Sequence, residues 1–292
     1  MNVDGQQWAG HRVSWERRER VATVRCFNPD RGLMDPQMEQ ELLDVVLLLE
    51  SMADLRVVII TGGNPDVFIR HYDVAELHRR SQNMRERGLR FDAARPVPAA
   101  PIHKLLTLIA QSRLVYVAAL NGTAMGGGFE IALGCDLRVV QDGDYPLGLP
   151  EINLGLLPGA GGTQRLSRLL GESRAMEFML LGRTLRPAEM VSVGLAQACV
   201  SDALSHAQAL AEQITLRPAK ACAHIKALVR GARDWPLSHG EGMERTFFCD
   251  CMIDDAAQPL MQAVGSHERS IALAPPAAAL ERPSPIRLRQ TK

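Results

Sequence analysis

Aromatic side chains are scarce in this 292-residue chain, at 4%, which weakens any reading built on stacking against nucleobases. Neither charge is in surplus, with 33 Lys and Arg against 33 Asp and Glu. A polyanion binder needs a basic surplus or stripe, so nucleic acid is not an expected partner, although a substrate bearing a few phosphates is compatible. No apolar run approaches the roughly 20 residues of a membrane span. The stretch from Met1 to Arg20 lacks the apolar core of a signal peptide. The expectation is a cytoplasmic protein with no membrane partner. Cysteine pairs of diagnostic spacing are missing too. Cys26, Cys135, Cys199 and Cys222 are scattered, and Cys249 and Cys251 form a C-x-C, neither a C-x-x-C redox pair nor half of a usual zinc spacing. All six are expected to be free thiols. The eight histidines show no metal-ligand spacing, and neither H-E-x-x-H nor G-x-S-x-G occurs. No metal site is expected.

What is present is an ordinary soluble balance, 46% hydrophobic and 23% charged, in a chain long enough for a sizeable core. At about 150 residues per domain the length suggests two domains. His11 to Glu19 and Arg20 to Phe27 alternate as two strands of a hairpin. Asp35 and Pro36 mark a helix start, followed by Met38, Leu42, Val45, Val46 and Leu49 at helical spacing. Leu55–Ile60, Leu114–Leu120 and Leu137–Gln141 are short, nearly continuous apolar strands of the kind covered on both faces. With a helix from about Asp73, this alternation makes an α/β fold. His78 to Arg90 reads as a solvated, arginine-rich helix face and Arg95 to Pro101 as an extended linker. The sharper alternative is that some of these arginines meet substrate phosphates. After about Ser201 the pattern is helical throughout, with no strand of its own for the helices to cover. The Pro- and Ala-rich tail from Ile271 reads as disordered, or ordered only by a neighbour.

The most informative stretch runs from Val117 to Arg168. A buried strand enters Asn121-Gly122, then Gly126-Gly127-Gly128-Phe129-Glu130, then an apolar helix. Glycines at a strand-to-helix turn allow close approach to the backbone, and a helix start offers unpaired N–H groups and a positive dipole end, which together suit developing negative charge. Close helix–strand packing would explain the glycines equally well. Glu130 tips the balance: buried at such a position, it would have a raised pKa and could exchange protons near neutral pH. Glu151 follows Pro150 after a further helix and strand, far enough along to return to the same sheet edge. Two carboxylates beside an anion-stabilising turn suit proton transfer next to a carbonyl, or addition of water. Gly159-Ala160-Gly161-Gly162-Thr163 lacks the lysine of a P-loop and reads as a tight loop before a helix. His71, beside the candidate site, reads as an ordinary loop histidine.

Val117–Gly122, Gly126–Glu130, Cys135-Asp136 and the run from Pro150 through Leu166 resemble the crotonase superfamily, specifically its enoyl-CoA hydratases. The likeness extends over roughly Arg20 to Val200. It implies a crotonase-like spiral of ββα units over 1–202, a C-terminal helical trimerisation region over 203–270 and a tail over 271–292. It implies acyl-CoA thioester substrates of fatty acid metabolism, a homotrimer or a dimer of trimers, and no cofactor, coenzyme A being part of the substrate. The thioester oxygen is implied to sit in an oxyanion hole between the backbone N–H groups of Gly127 and Tyr72. The catalytic glutamates match Glu130 and Glu151; isomerases often keep only the second, so the pair favours hydration. Other readings are an isomerase, thioesterase or dehydratase on an unusual acyl thioester, or a non-catalytic acyl-CoA-binding protein. The oxyanion loop departs from the usual pattern of small residues, carrying Arg70, His71 and Tyr72.

Overall fold

The computed structural model describes residues 7–267 and 270–272. Strands β1 (Gln7–Ala9), β2 (Val13–Arg18) and β3 (Val21–Cys26) form an antiparallel ribbon, the expected hairpin with an added edge strand. Helix α1 (Pro36–Glu50) starts where the sequence marks it. Asp35 Oδ1 accepts the Met38 N–H at 2.8 Å, and Pro36 occupies the first position, where no N–H is needed. Strand β4 (Val57–Gly62) leads into β5 (Val67–Ile69), then α2 (Val74–Glu86), capped by Asp73, and α3 (Pro101–Gln111). Every residue from His78 through Ala99 is exposed, as the arginine-rich composition suggests.

Strands β6 (Val115–Leu120) and β7 (Thr123–Met125) lead into α4 (Gly127–Gly134). Strands β8 (Leu137–Gln141) and β9 (Leu147–Gly148) lead into a 3-10 turn, Glu151–Leu154, then α5 (Gly162–Leu170) and α6 (Glu172–Leu180). After β10 (Thr184–Leu185), α7 (Pro187–Ser192) and β11 (Ala198–Val200) come four helices: α8 (Ala203–Thr215), α9 (Ala219–Gly231), α10 (Leu237–Met252) and α11 (Gln258–Gly265).

Two sheets result. The larger has strand order β1-β2-β3-β4-β6-β8-β11 and is parallel from β3 onward; the smaller is β10-β9-β7-β5. The pairs β4–β5, β6–β7 and β8–β9 each pass from the larger sheet to the smaller before a helix, which is the ββα spiral. One face of the larger sheet packs with α1, α3 and α4 into the main core. The other presents Val57, Ile59, Val117 and Val139 to Ala203, Ala207 and Ala211 of α8. This corrects the expectation that the C-terminal helices have no strand to cover: α8 covers the larger sheet, and its alanines at every fourth position let the helix lie close against it.

Among the described residues no helix is long and apolar enough to cross a membrane. All six cysteines are free, and burial pushes the thiols of Cys26 and Cys135 up to about 12. The tail expected over 271–292 lies outside the described residues except for its first two positions.

Candidate active site

Helix α4 springs directly from β7 through Gly126, whose φ of 51° lies in the region that favours glycine. A Cβ on Gly127 would overlap Met34 Cε, and one on Gly128 would collide with the carbonyl oxygen of Ile69. At Gly128 the helix start therefore lies against a backbone carbonyl as only glycine can. All eight residues of α4 are buried, and the unpaired N–H groups of its first turn carry the positive end of the helix dipole.

The loop after β5 is stitched to this helix start. Met125 N–H donates to Arg70 O at 2.9 Å, and Met34 bridges to Tyr72: Met34 N–H donates to His71 O and Asp73 N–H to Met34 O, both at 2.8 Å. In a parallel bridge of this kind Met34 uses its own N–H and C=O, and the N–H of Tyr72 faces the opposite side. Neither Tyr72 nor Gly127 donates its backbone N–H to another group among the described residues. The Tyr72 ring lies 5.6 Å below the Arg80 guanidinium. Its buried hydroxyl is near Glu39 without reaching hydrogen-bond geometry, and burial, then the Glu39 charge, push the phenol above its usual range. His71 turns its ring to the Tyr72 carbonyl, with Nδ1 at 2.7 Å from that oxygen.

Glu130, in the first turn of α4, is 2% exposed. Its Oε1 accepts the N–H groups of Ala160 and Gly162, each at 2.7 Å. Burial pushes its pKa up; the two N–H bonds, the Arg165 guanidinium and the nearby His103 ring oppose that without cancelling it. Glu151 opens the 3-10 turn after Pro150. Its Oε1 would lie 3.2 Å from a Cβ on Gly126, while Oε2 is buried and makes no hydrogen bond among the described residues. Burial pushes the Glu151 carboxyl up to about 7, and the Glu130 charge adds in the same direction. Glu130 N–H donates to Gly126 O at 2.9 Å, so Gly126 adjoins the backbone of Glu130 and the side chain of Glu151. Glu130, Glu151, Gly127 and the backbone of Tyr72 thus meet at one end of α4.

Sequence reasoning missed the partners of Glu130. The loop Gly159–Thr163 supplies them through backbone N–H groups, which leave no residue-type signature. Its glycines were the available signal, read as a tight turn only.

The sequence profile of the enoyl-CoA hydratase/isomerase family matches residues 16–264. The chain belongs to this family. It is 32% identical over 240 residues to a probable enoyl-CoA hydratase, echA8, of Mycobacterium leprae, covering 81% of this chain and 88% of that protein. It is 34% identical over 202 residues to the fatty acid oxidation complex subunit alpha of Shewanella loihica. That match takes in 68% of this chain but only 27% of the length of the Shewanella protein. Among solved structures, an enoyl-CoA hydratase from Bacillus anthracis superposes with a TM-score of 0.75 at 26% identity, covering 87% of this chain and 96% of that one. Membership of the enoyl-CoA hydratase/isomerase family accords with the spiral fold and with the resemblance read from the motifs around Glu130 and Glu151.

Proposed function

We propose that this chain is an enoyl-CoA hydratase, adding water across the 2,3 double bond of an acyl-CoA thioester. The observation that carries the reading is the pairing of two carboxylates in unlike environments. Glu130 has one oxygen tied by two N–H donors, whereas Glu151 keeps a buried oxygen without a partner and titrates near 7. Pairs of acids whose surroundings differ in this way divide between base and acid roles.

In this proposal the thioester carbonyl points its oxygen at the N–H groups of Gly127 and Tyr72. Those donors stabilise the enolate that forms when water adds, each by about 2.7–4 kcal/mol in sites of this type. The attacking water lies between the carboxylates. Glu130, whose two N–H partners favour its ionised form against the effect of burial, takes the water proton as oxygen attacks Cβ. Glu151, protonated near neutral pH, gives its proton to Cα. Glu151 is then the anion and Glu130 the acid, and exchange with solvent resets both. Every step uses acid–base groups of the chain, and coenzyme A enters only as part of the substrate. A cytoplasmic setting in fatty acid metabolism goes with this reading.

The bulky oxyanion loop, with Tyr72 between Arg80 and Glu39, favours a second possibility within the family: isomerase, thioesterase or dehydratase chemistry on an unusual acyl group. Crotonyl-CoA separates the two. Loss of the conjugated thioester absorbance, with 3-hydroxybutyryl-CoA as product, is expected. No turnover of crotonyl-CoA or longer 2-enoyl-CoAs, together with release of free thiol from another acyl-CoA, would overturn hydration in favour of thioester cleavage.

A further inference from the structure

Helix α3 begins at Ala100, whose side chain offers no acceptor for a helix N-terminus. His103 supplies what is missing: Ala100 N–H donates to its Nδ1 at 3.1 Å. A ring whose Nδ1 accepts carries its proton on Nε2. That nitrogen is 2.8 Å from the carbonyl oxygen of Gly159, so His103 donates across 56 residues of sequence to the turn between the 3-10 segment and α5. The same peptide unit that presents the Gly159 carbonyl to His103 presents the Ala160 N–H to Glu130 Oε1 at 2.7 Å. A peptide unit is planar and trans, with C=O and N–H pointing in opposite directions. Fixing the oxygen end fixes the direction of the N–H end. A donor on the carbonyl also polarises the unit and strengthens its N–H as a donor.

The turn Pro158-Gly159-Ala160-Gly161-Gly162 has little of its own to hold one conformation. Besides the Glu130 carboxylate on the Ala160 and Gly162 N–H groups, its outside grips are His103 on Gly159 O and Arg165 Nη1 on Ala160 O at 2.9 Å. We infer that His103 is a positioning residue for Glu130, holding that carboxylate in line through the peptide unit between Gly159 and Ala160. His103 itself touches neither carboxylate. This inference rests on the reading of Glu130 as the base, and its test has an arm that does not depend on turnover.

The experiment compares wild type, His103→Ala and His103→Gln in the full chain. Gln at the third helical position can accept the Ala100 N–H and donate to Gly159 O together, so it keeps both bonds. In His103→Ala, hydrogen–deuterium exchange of the peptide spanning Leu156 to Leu166 should speed up while Tm stays within a few degrees of wild type. The same variant should lose kcat by about tenfold, against about 10²-fold for a 1 Å misplacement of a reacting group, with KM little changed. The acid limb of kcat/KM should move to higher pH, because an N–H held less firmly stabilises the ionised Glu130 less. His103→Gln should restore exchange, kcat and the acid limb. Unchanged exchange in His103→Ala would overturn the inference. So would a loss of kcat that only tracks a fall in Tm and is not rescued by Gln. If Glu130→Gln is fully active while exchange still responds to His103, the clamp stands and the role given to Glu130 falls.

Discussion

Glu130 and Glu151 are the same residue type under different constraints, and the difference can be measured. Glu130→Gln and Glu151→Gln should each lower kcat by about 10²–10⁴, the usual worth of a positioned acid or base, with little change in acyl-CoA affinity by calorimetry. Near-normal turnover in both would end the two-carboxylate mechanism. Glu151 must be protonated to act as the acid, and its carboxyl titrates at about 7. Hence kcat/KM should fall as pH rises through about 7. Stability carries the same sign. A carboxyl raised above its ordinary value stabilises the fold in its protonated form, fully below the ordinary carboxylate range, and that contribution is lost as pH rises through about 7. Glu151→Gln cannot ionise, so its stability relative to wild type should be greater at high pH than at low, by on the order of 1–2 kcal/mol after screening by solvent. Urea denaturation on either side of neutrality gives that difference. At Tyr72 the proposed donor is a backbone group. Tyr72→Ala should keep substantial activity, whereas Tyr72→Pro, which removes the N–H, should lose it. Equal loss in both would mark the phenol as the working group.

Both carboxylates could be read from the sequence because each breaks a local pattern: Glu130 interrupts an apolar helix and Glu151 follows a proline at a turn. The grips on Glu130 could not. Ala160 and Gly162 act through N–H groups that any non-proline residue has, and His103 bonds to backbone at both ring nitrogens. Elements divide in the same way. Strands β4, β6 and β8 are visible as apolar runs, and α1 by its cap. The smaller sheet is not, because β5, β7, β9 and β10 have two or three residues each, too few for an alternation to show. The docking of α8 was equally hidden: Ala203, Ala207 and Ala211 lie against the sheet, yet alanine is also the commonest choice for a helix with nothing to touch. That contact is testable. Ala207→Leu puts a large side chain where Ala207 is fully buried, and should destabilise the protein by about 1–3 kcal/mol in urea titration. Ala209→Leu, which lies outside the packed row, should be near neutral.

Over the whole molecule, the C-terminal helices serve two surfaces. Inward, α9 reaches the far end of α4: Arg230 Nη2 donates to Gly134 O at 2.8 Å and pairs with Asp136 at 2.7 Å, while Lys226 Nζ pairs with Asp136 at 2.8 Å and donates to Leu114 O. Outward, Leu237 is 79% and Ile253 76% exposed, and Phe248 is exposed while Phe247 stacks on His224. A second apolar group, with Leu157 at 71%, lies on α6 and the segment before α5. We propose that these faces meet other copies of the chain in a closed trimer or a dimer of trimers. Truncation after Ser201 should give insoluble protein, since it removes both the outward faces and the grip on α4. Light scattering decides between this and a soluble, active monomer, which would sink the assembly claim.

The contrast between α4 and the stretch from His78 through Ala99 bears on how this protein can change over generations. Every residue of α4 is enclosed, whereas twenty-two consecutive residues of the stretch that starts partway along α2 lie open to solvent. A substitution inside α4 disturbs the helix start, the Glu130 carboxylate or the Arg230 grip. One in the open stretch disturbs little packing. Inherited variation should therefore accumulate along the open stretch rather than within α4.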